Sequence, residues 1–136
     1  MTRRPFAILL SCALAIAVPS MWGRVSAEER SIDFDRRIGP LFVSRCFECH
    51  YGAKPKGGLD LSRRATATAG GESGPSIVPG NPGASLLWQR VTAGEMPPKK
   101  PLAADEQLLL KDWIARGARW GTDPIDPFRV TTATRA

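Results

Sequence analysis

Cys46-Phe47-Glu48-Cys49-His50 is a Cys-x-x-Cys-His run, and the reading of the whole chain turns on it. The pattern is the one by which haem c is attached to protein. Two thiols three residues apart on one turn can reach two vinyl-derived carbons on one porphyrin edge. The next residue then lies under the ring, where its imidazole can ligate iron, and imidazole is a common proximal ligand. Three other chemistries use the same residue types. A zinc site normally takes four protein ligands. Beyond residue 27 the chain offers only Cys46, Cys49 and His50 as sulfur or imidazole ligands of that kind, so a carboxylate would have to complete the set. A thioredoxin-like dithiol belongs at a strand-to-helix junction, whereas here the motif closes a helical pattern. A structural disulfide between these cysteines would close a very small loop. The motif therefore favours one covalent haem c on Cys46 and Cys49, with His50 on the iron.

Upstream of the motif, Phe34, Ile38, Leu41 and Phe42 recur at helical spacing, so residues 31 to 50 read as helix. Asp33 and Asp35 lie near its start, where the helix dipole favours negative charge. Gly39-Pro40 interrupts the segment, and Pro40 is either a kink or the first turn of a second short helix. Further upstream, Arg3 and Arg4 precede an apolar run from Phe6 to Val18, and Val25-Ser26-Ala27 supplies the small residues that signal peptidase reads. Residues 1–27 are expected to be a signal peptide. The run is short for a bilayer span, which takes about 20 apolar residues, so an uncleaved signal is the one route to a membrane anchor. The domain is expected at residues 28–121, exported to the periplasm.

Downstream, residues 51 to 84 read as loop, rich in turn-forming glycine and proline, with Leu59 and Leu61 alternating around Asp60. Ser85 is the expected N-cap of a short helix through Val91 that Gly94 ends. Glu95-Met96-Pro97-Pro98-Lys99-Lys100-Pro101 is stiffened by three prolines. The clearest helix, Ala104 to Ala118, carries Asp105 and Glu106 in its first turn and a stripe of Leu109, Leu110, Trp113 and Ile114. Residues 122–136 read as linker or loose tail.

Of the methionines Met1, Met21 and Met96, only Met96 lies beyond the signal. It is the expected sixth ligand of the iron, since thioether plus imidazole raises the reduction potential as suits an electron carrier. The alternative is that Met96 is loop packing and that Lys99, Lys100, water or nothing takes that position. His50 is the only histidine, so bis-histidine ligation within the chain is excluded. The carbonyl that orients the His50 ring is expected from the Pro55 or the Pro75 loop. Trp88, Trp113 and Trp120 read as packing rather than electron relays.

The chain of 136 residues carries a formal charge of +6, and removal of residues 1–27 takes away three arginines and no acid, leaving +3. No dense basic stripe with interleaved aromatics is present, which argues against nucleic acid as a partner. Lys54, Lys56, Lys99 and Lys100 read first as solvated loop lysines; gathered at a haem edge they would steer an acidic redox partner.

Taken together, Cys46 to His50, Gly57-Gly58-Leu59-Asp60-Leu61, Ser73 to Gly80, Ser85-Leu86-Leu87, Met96-Pro97-Pro98 and the closing Trp113-Ile114, Gly117-Ala118 and Trp120 resemble the planctomycete-type cytochrome c domain over about residues 32 to 121. The resemblance implies an all-α, small cytochrome c-like fold with long Gly/Pro-rich loops around the haem. It also implies haem on Cys46, Cys49 and His50, with Met96 as distal ligand. In that family the domain usually opens a longer protein, so residues 126–136 resemble a linker to a continuation. Two functions are expected in order: an exported electron-transfer domain, monomeric and not itself an enzyme, or the haem-binding module of a larger catalytic or sensory protein. A thiol-disulfide oxidoreductase using Cys46 and Cys49 is the remaining alternative.

Overall fold

The computed structural model describes residues 32–133, with side chains to residue 130, so the expected signal peptide lies outside the described residues. A π-helical turn, Phe34–Ile38, leads directly into helix α1, Gly39–Arg45. The Asp33 carboxylate accepts from the Arg36 amide at 3.1 Å and so caps the turn. Pro40 sits in the first turn of α1, where its missing amide hydrogen costs nothing. The helical pattern read over 31 to 50 thus resolves into a π-turn and a short α-helix that ends at Arg45.

The order after α1 is a 3-10 turn at Lys56–Gly58, α2 at Arg64–Ala69, a 3-10 turn at Pro82–Ala84, α3 at Leu86–Thr92, α4 at Ala104–Ala115 and α5 at Pro127–Ala133. The described residues contain no strand, only one isolated bridge between Gly71 and Gly74. The fold is all-α, as expected. Helix α2 was not legible in Arg64-Ala65-Thr66-Ala67-Thr68-Ala69, which has no apolar stripe. Only Ala67 is buried, and Thr66 and Thr68 donate their hydroxyls to the Asp60 and Arg64 carbonyls.

Ser85 occupies the N-cap position of α3 but makes no side-chain cap. Its fully buried hydroxyl instead donates to the Asn81 carbonyl at 2.8 Å and accepts from the Val78 amide at 2.9 Å. It fastens the preceding loop rather than the helix. Helix α4 stops three residues earlier than the sequence pattern suggests: Arg116 caps it, and Gly117 and Ala118 both adopt positive φ. The Glu106 carboxylate accepts from the Ala103 amide at 2.8 Å and fixes the start of α4.

The core forms where the π-turn and α1 meet α4. Phe34, Phe42, Trp113 and Trp120 make one aromatic cluster, with Phe34 and Trp120 centroids 4.3 Å apart and Phe42 edge-on to Trp113 at 5.8 Å. The Trp113 Nε1 donates to the Arg119 carbonyl at 2.8 Å. Ile38, Leu110 and Ile114 complete the contact.

The tail differs from the loose linker expected. The Thr122 amide donates to the Asp35 carboxylate at 2.8 Å, and the Ile125 amide donates to the Ser62 carbonyl at 2.8 Å. Ile125 is buried, and α5 packs on α1 and the π-turn. A single apolar residue between two prolines gives no periodicity, which is why the sequence pattern did not reveal this contact.

Candidate functional site

Beyond Arg45 the chain makes one more turn rather than extending the helix. Cys46 caps α1 through its amide on the Phe42 carbonyl. The Cys49 and His50 amides both bond to the Cys46 carbonyl, at 3.1 and 2.9 Å. That single turn presents the two cysteines and the imidazole as a unit. Its far end is tied down as well: the Lys56 amide donates to the Cys49 carbonyl at 2.8 Å, and the Leu61 amide to the His50 carbonyl at 2.9 Å.

Cys46, Cys49, His50 and Met96 all line one cavity of about 320 Å³. This is within the size range of small-molecule and cofactor pockets, roughly 300–1,000 Å³. The wall is built from several segments of the chain. Leu41, Phe42 and Arg45 come from α1, and Leu59 and Leu61 from the loop after the motif. Gly71, Gly74 and Ser76 come from the bridge region, and Leu87, Arg90 and Val91 from α3. Met96, Pro97 and Pro98 close it together with Leu102 and Leu110. Gly71 is required in this wall: a Cβ there would collide with the Gly57 carbonyl, which accepts from the Glu72 amide at 2.9 Å. The two loops can meet only because no side chain separates them.

Both cysteines are free thiols. Cys46 packs against the core, and burial pushes its thiol up to about 12, with Arg45 pulling it down and Glu106 and Cys49 adding to the rise. The His50 Nδ1 is buried without a hydrogen-bond partner among the described residues, so neither the Pro55 nor the Pro75 carbonyl orients the ring. The Met96 segment is held from below by α3: the Glu95 and Met96 amides both donate to the Arg90 carbonyl, at 3.0 and 3.2 Å. The Arg90 side chain also pairs with Glu95.

These observations fit a haem. Two unpaired thiols, an imidazole and a thioether line a cavity whose other walls are mostly aliphatic or aromatic. No group of three or more His, Cys, Asp or Glu side chains suited to a bare metal ion occurs among the described residues. Of the four lysines read as a possible ring, Lys56 lines the cavity, and Lys54, Lys99 and Lys100 are exposed. Sequence reasoning missed Arg45 and Arg90 as wall residues. Arg45 had a signal, standing between an apolar helix face and Cys46; Arg90 had none. Trp113 and Trp120 lie in the aromatic core, and Trp88 packs partly buried against it, as packing residues should.

An all-α chain that sets short helices around a cavity lined by a Cys-x-x-Cys-His turn and a methionine is cytochrome c-like. Residues 46–100 match the family model described as Planctomycete cytochrome C, which bears out the family resemblance read from the motifs. Neither the curated proteins nor the solved structures yield a match.

Proposed function

We propose that this chain is an exported c-type cytochrome domain that carries one covalent haem and transfers electrons. The observation that carries the reading is the convergence of Cys46, Cys49, His50 and Met96 on one apolar cavity. The sulfurs of Cys46 and Cys49 would hold the haem by two thioether bonds, and His50 and Met96 would hold its iron. The haem would supply a one-electron iron couple, with the methionine raising its potential. The chain's own contribution is enclosure. Leu61, Leu87, Leu102 and Leu110 would give the group apolar walls, and the proline-rich loop limits the freedom of the thioether.

The dithiol alternative is less well supported, because catalytic dithiols work through a thiol of lowered pKa, and burial moves Cys46 the other way. Electron carriage rather than catalysis, a periplasmic location and an acidic partner steered by the exposed lysines belong to the same proposal. A larger protein that uses this domain as its haem module would need the same site.

Carbon monoxide tests the assignment of Met96 to the iron. The reduced wild-type protein should resist it, and reduced Met96→Ala should bind it readily. Ready binding by the wild type would show an open sixth position and sink the assignment of Met96.

A further inference from the structure

We propose that Arg45 is a positioning residue for Met96, tying the far end of the methionine loop to the wall of the cavity that carries Cys46. The inference rests on the haem reading above and adds to it a residue outside the Cys-x-x-Cys-His motif.

Arg45 ends α1 and lines the cavity, and its side chain is only 15% exposed. Its Nη2 donates to the Pro101 carbonyl at 3.1 Å and to the Glu106 carboxylate at 2.9 Å. The same Glu106 oxygen accepts from the Ala103 amide. One guanidinium therefore gathers the last residue of the Met96–Pro101 stretch and the first turn of α4 onto the residue next to Cys46. The start of that stretch is already fixed by the Arg90 carbonyl. Arg45 thus supplies the second of two anchors: Met96 is held by its own amide at one end of the stretch, and Pro101 by Arg45 at the other.

The chemistry of the side chain suits the task. A planar guanidinium can bond a carbonyl and a carboxylate together, which an ammonium on a flexible stem does poorly. A partly buried charge-assisted bond also holds better than an exposed pair. The arrangement carries a cost that stability alone would not call for: the Arg45 Nε is buried with no partner among the described residues.

The test is imidazole binding to the oxidised, haem-loaded protein, since imidazole competes with the methionine sulfur for iron. Arg45→Gln should bind imidazole about tenfold more tightly than wild type, equivalent to about 1.4 kcal/mol of lost restraint. Arg45→Lys should fall between the two. In a Met96→Ala background, where there is no sulfur to displace, Arg45→Gln should add nothing. Equal affinities for wild type and Arg45→Gln would overturn the proposal. So would the same increment appearing without Met96, or a lowered melting temperature with unchanged imidazole binding. Should Arg45→Gln not mature, Glu106→Gln must show a smaller tightening, and no change there counts against the proposal equally. A wild-type protein without covalent haem would overturn the parent reading instead, before any variant is compared.

Discussion

The Leu61 amide donates to the His50 carbonyl at 2.9 Å, and the Leu61 side chain, fully buried, forms part of the cavity wall beside that histidine. One residue therefore fixes the end of the Cys-x-x-Cys-His turn and seals the space it faces. Leu61→Ala should destabilise the fold by about 2–5 kcal/mol, the range for large-to-small core substitutions. Leu61→Met, which conserves volume, should cost less than about 1.5 kcal/mol. Urea unfolding followed by circular dichroism measures both.

Trp113 contributes a ring to the contact between α1 and α4 and a donor to the turn that follows α4. Trp113→Phe keeps an aromatic ring against Phe34 and Phe42 but leaves the Arg119 carbonyl without its indole donor. The expected loss is about 1–3 kcal/mol. Trp113→Ala should lose about 3–5 kcal/mol. If the two variants unfold at the same urea concentration, the packing role assigned to the ring is wrong.

The Cys46 thiol gives a pH dependence to the stability of the polypeptide itself. Its folded value is raised to about 12 by burial, against roughly 8.5 for an exposed cysteine. The unfolded chain therefore loses this proton first. Above the unfolded value it binds fewer protons than the folded chain, so stability falls as pH rises. The contribution is level below about pH 8.5 and declines through the window up to about 12. Cys46→Ala should flatten that decline in alkaline unfolding curves, and an unchanged slope would contradict the buried thiol.

Ile125 anchors a segment that the sequence pattern marks as linker. It is buried, and its amide is bonded to Ser62. Ile125→Ala should cost about 2–5 kcal/mol, and thermal melting should show it. A tail that only links would tolerate the change without effect.

What the sequence conveyed followed from how local its signals were. Cys46, Cys49 and His50 are adjacent, so their shared turn could be read directly, and Met96 followed because no other methionine lies beyond residue 27. The stripe Leu110, Trp113 and Ile114 marked α4 because it repeats at helical spacing and is buried in the structure. The α2 segment and the Ile125 contact left no such trace, since each buries one side chain through partners far away in sequence. The role of the Ser85 hydroxyl was misread for a related reason: a serine before a helix suits a cap, but full burial gave it two loop partners instead. Arg45 was passed over because its partners, Pro101 and Glu106, lie more than fifty residues on.

The most direct test of the central claim is the intact mass of the protein purified from a host that matures c-type cytochromes. The account predicts polypeptide plus one haem, retained under denaturing conditions and reduced to the bare chain in a Cys46→Ala, Cys49→Ala variant. Bare polypeptide with both thiols open to alkylation in the wild-type protein would contradict it.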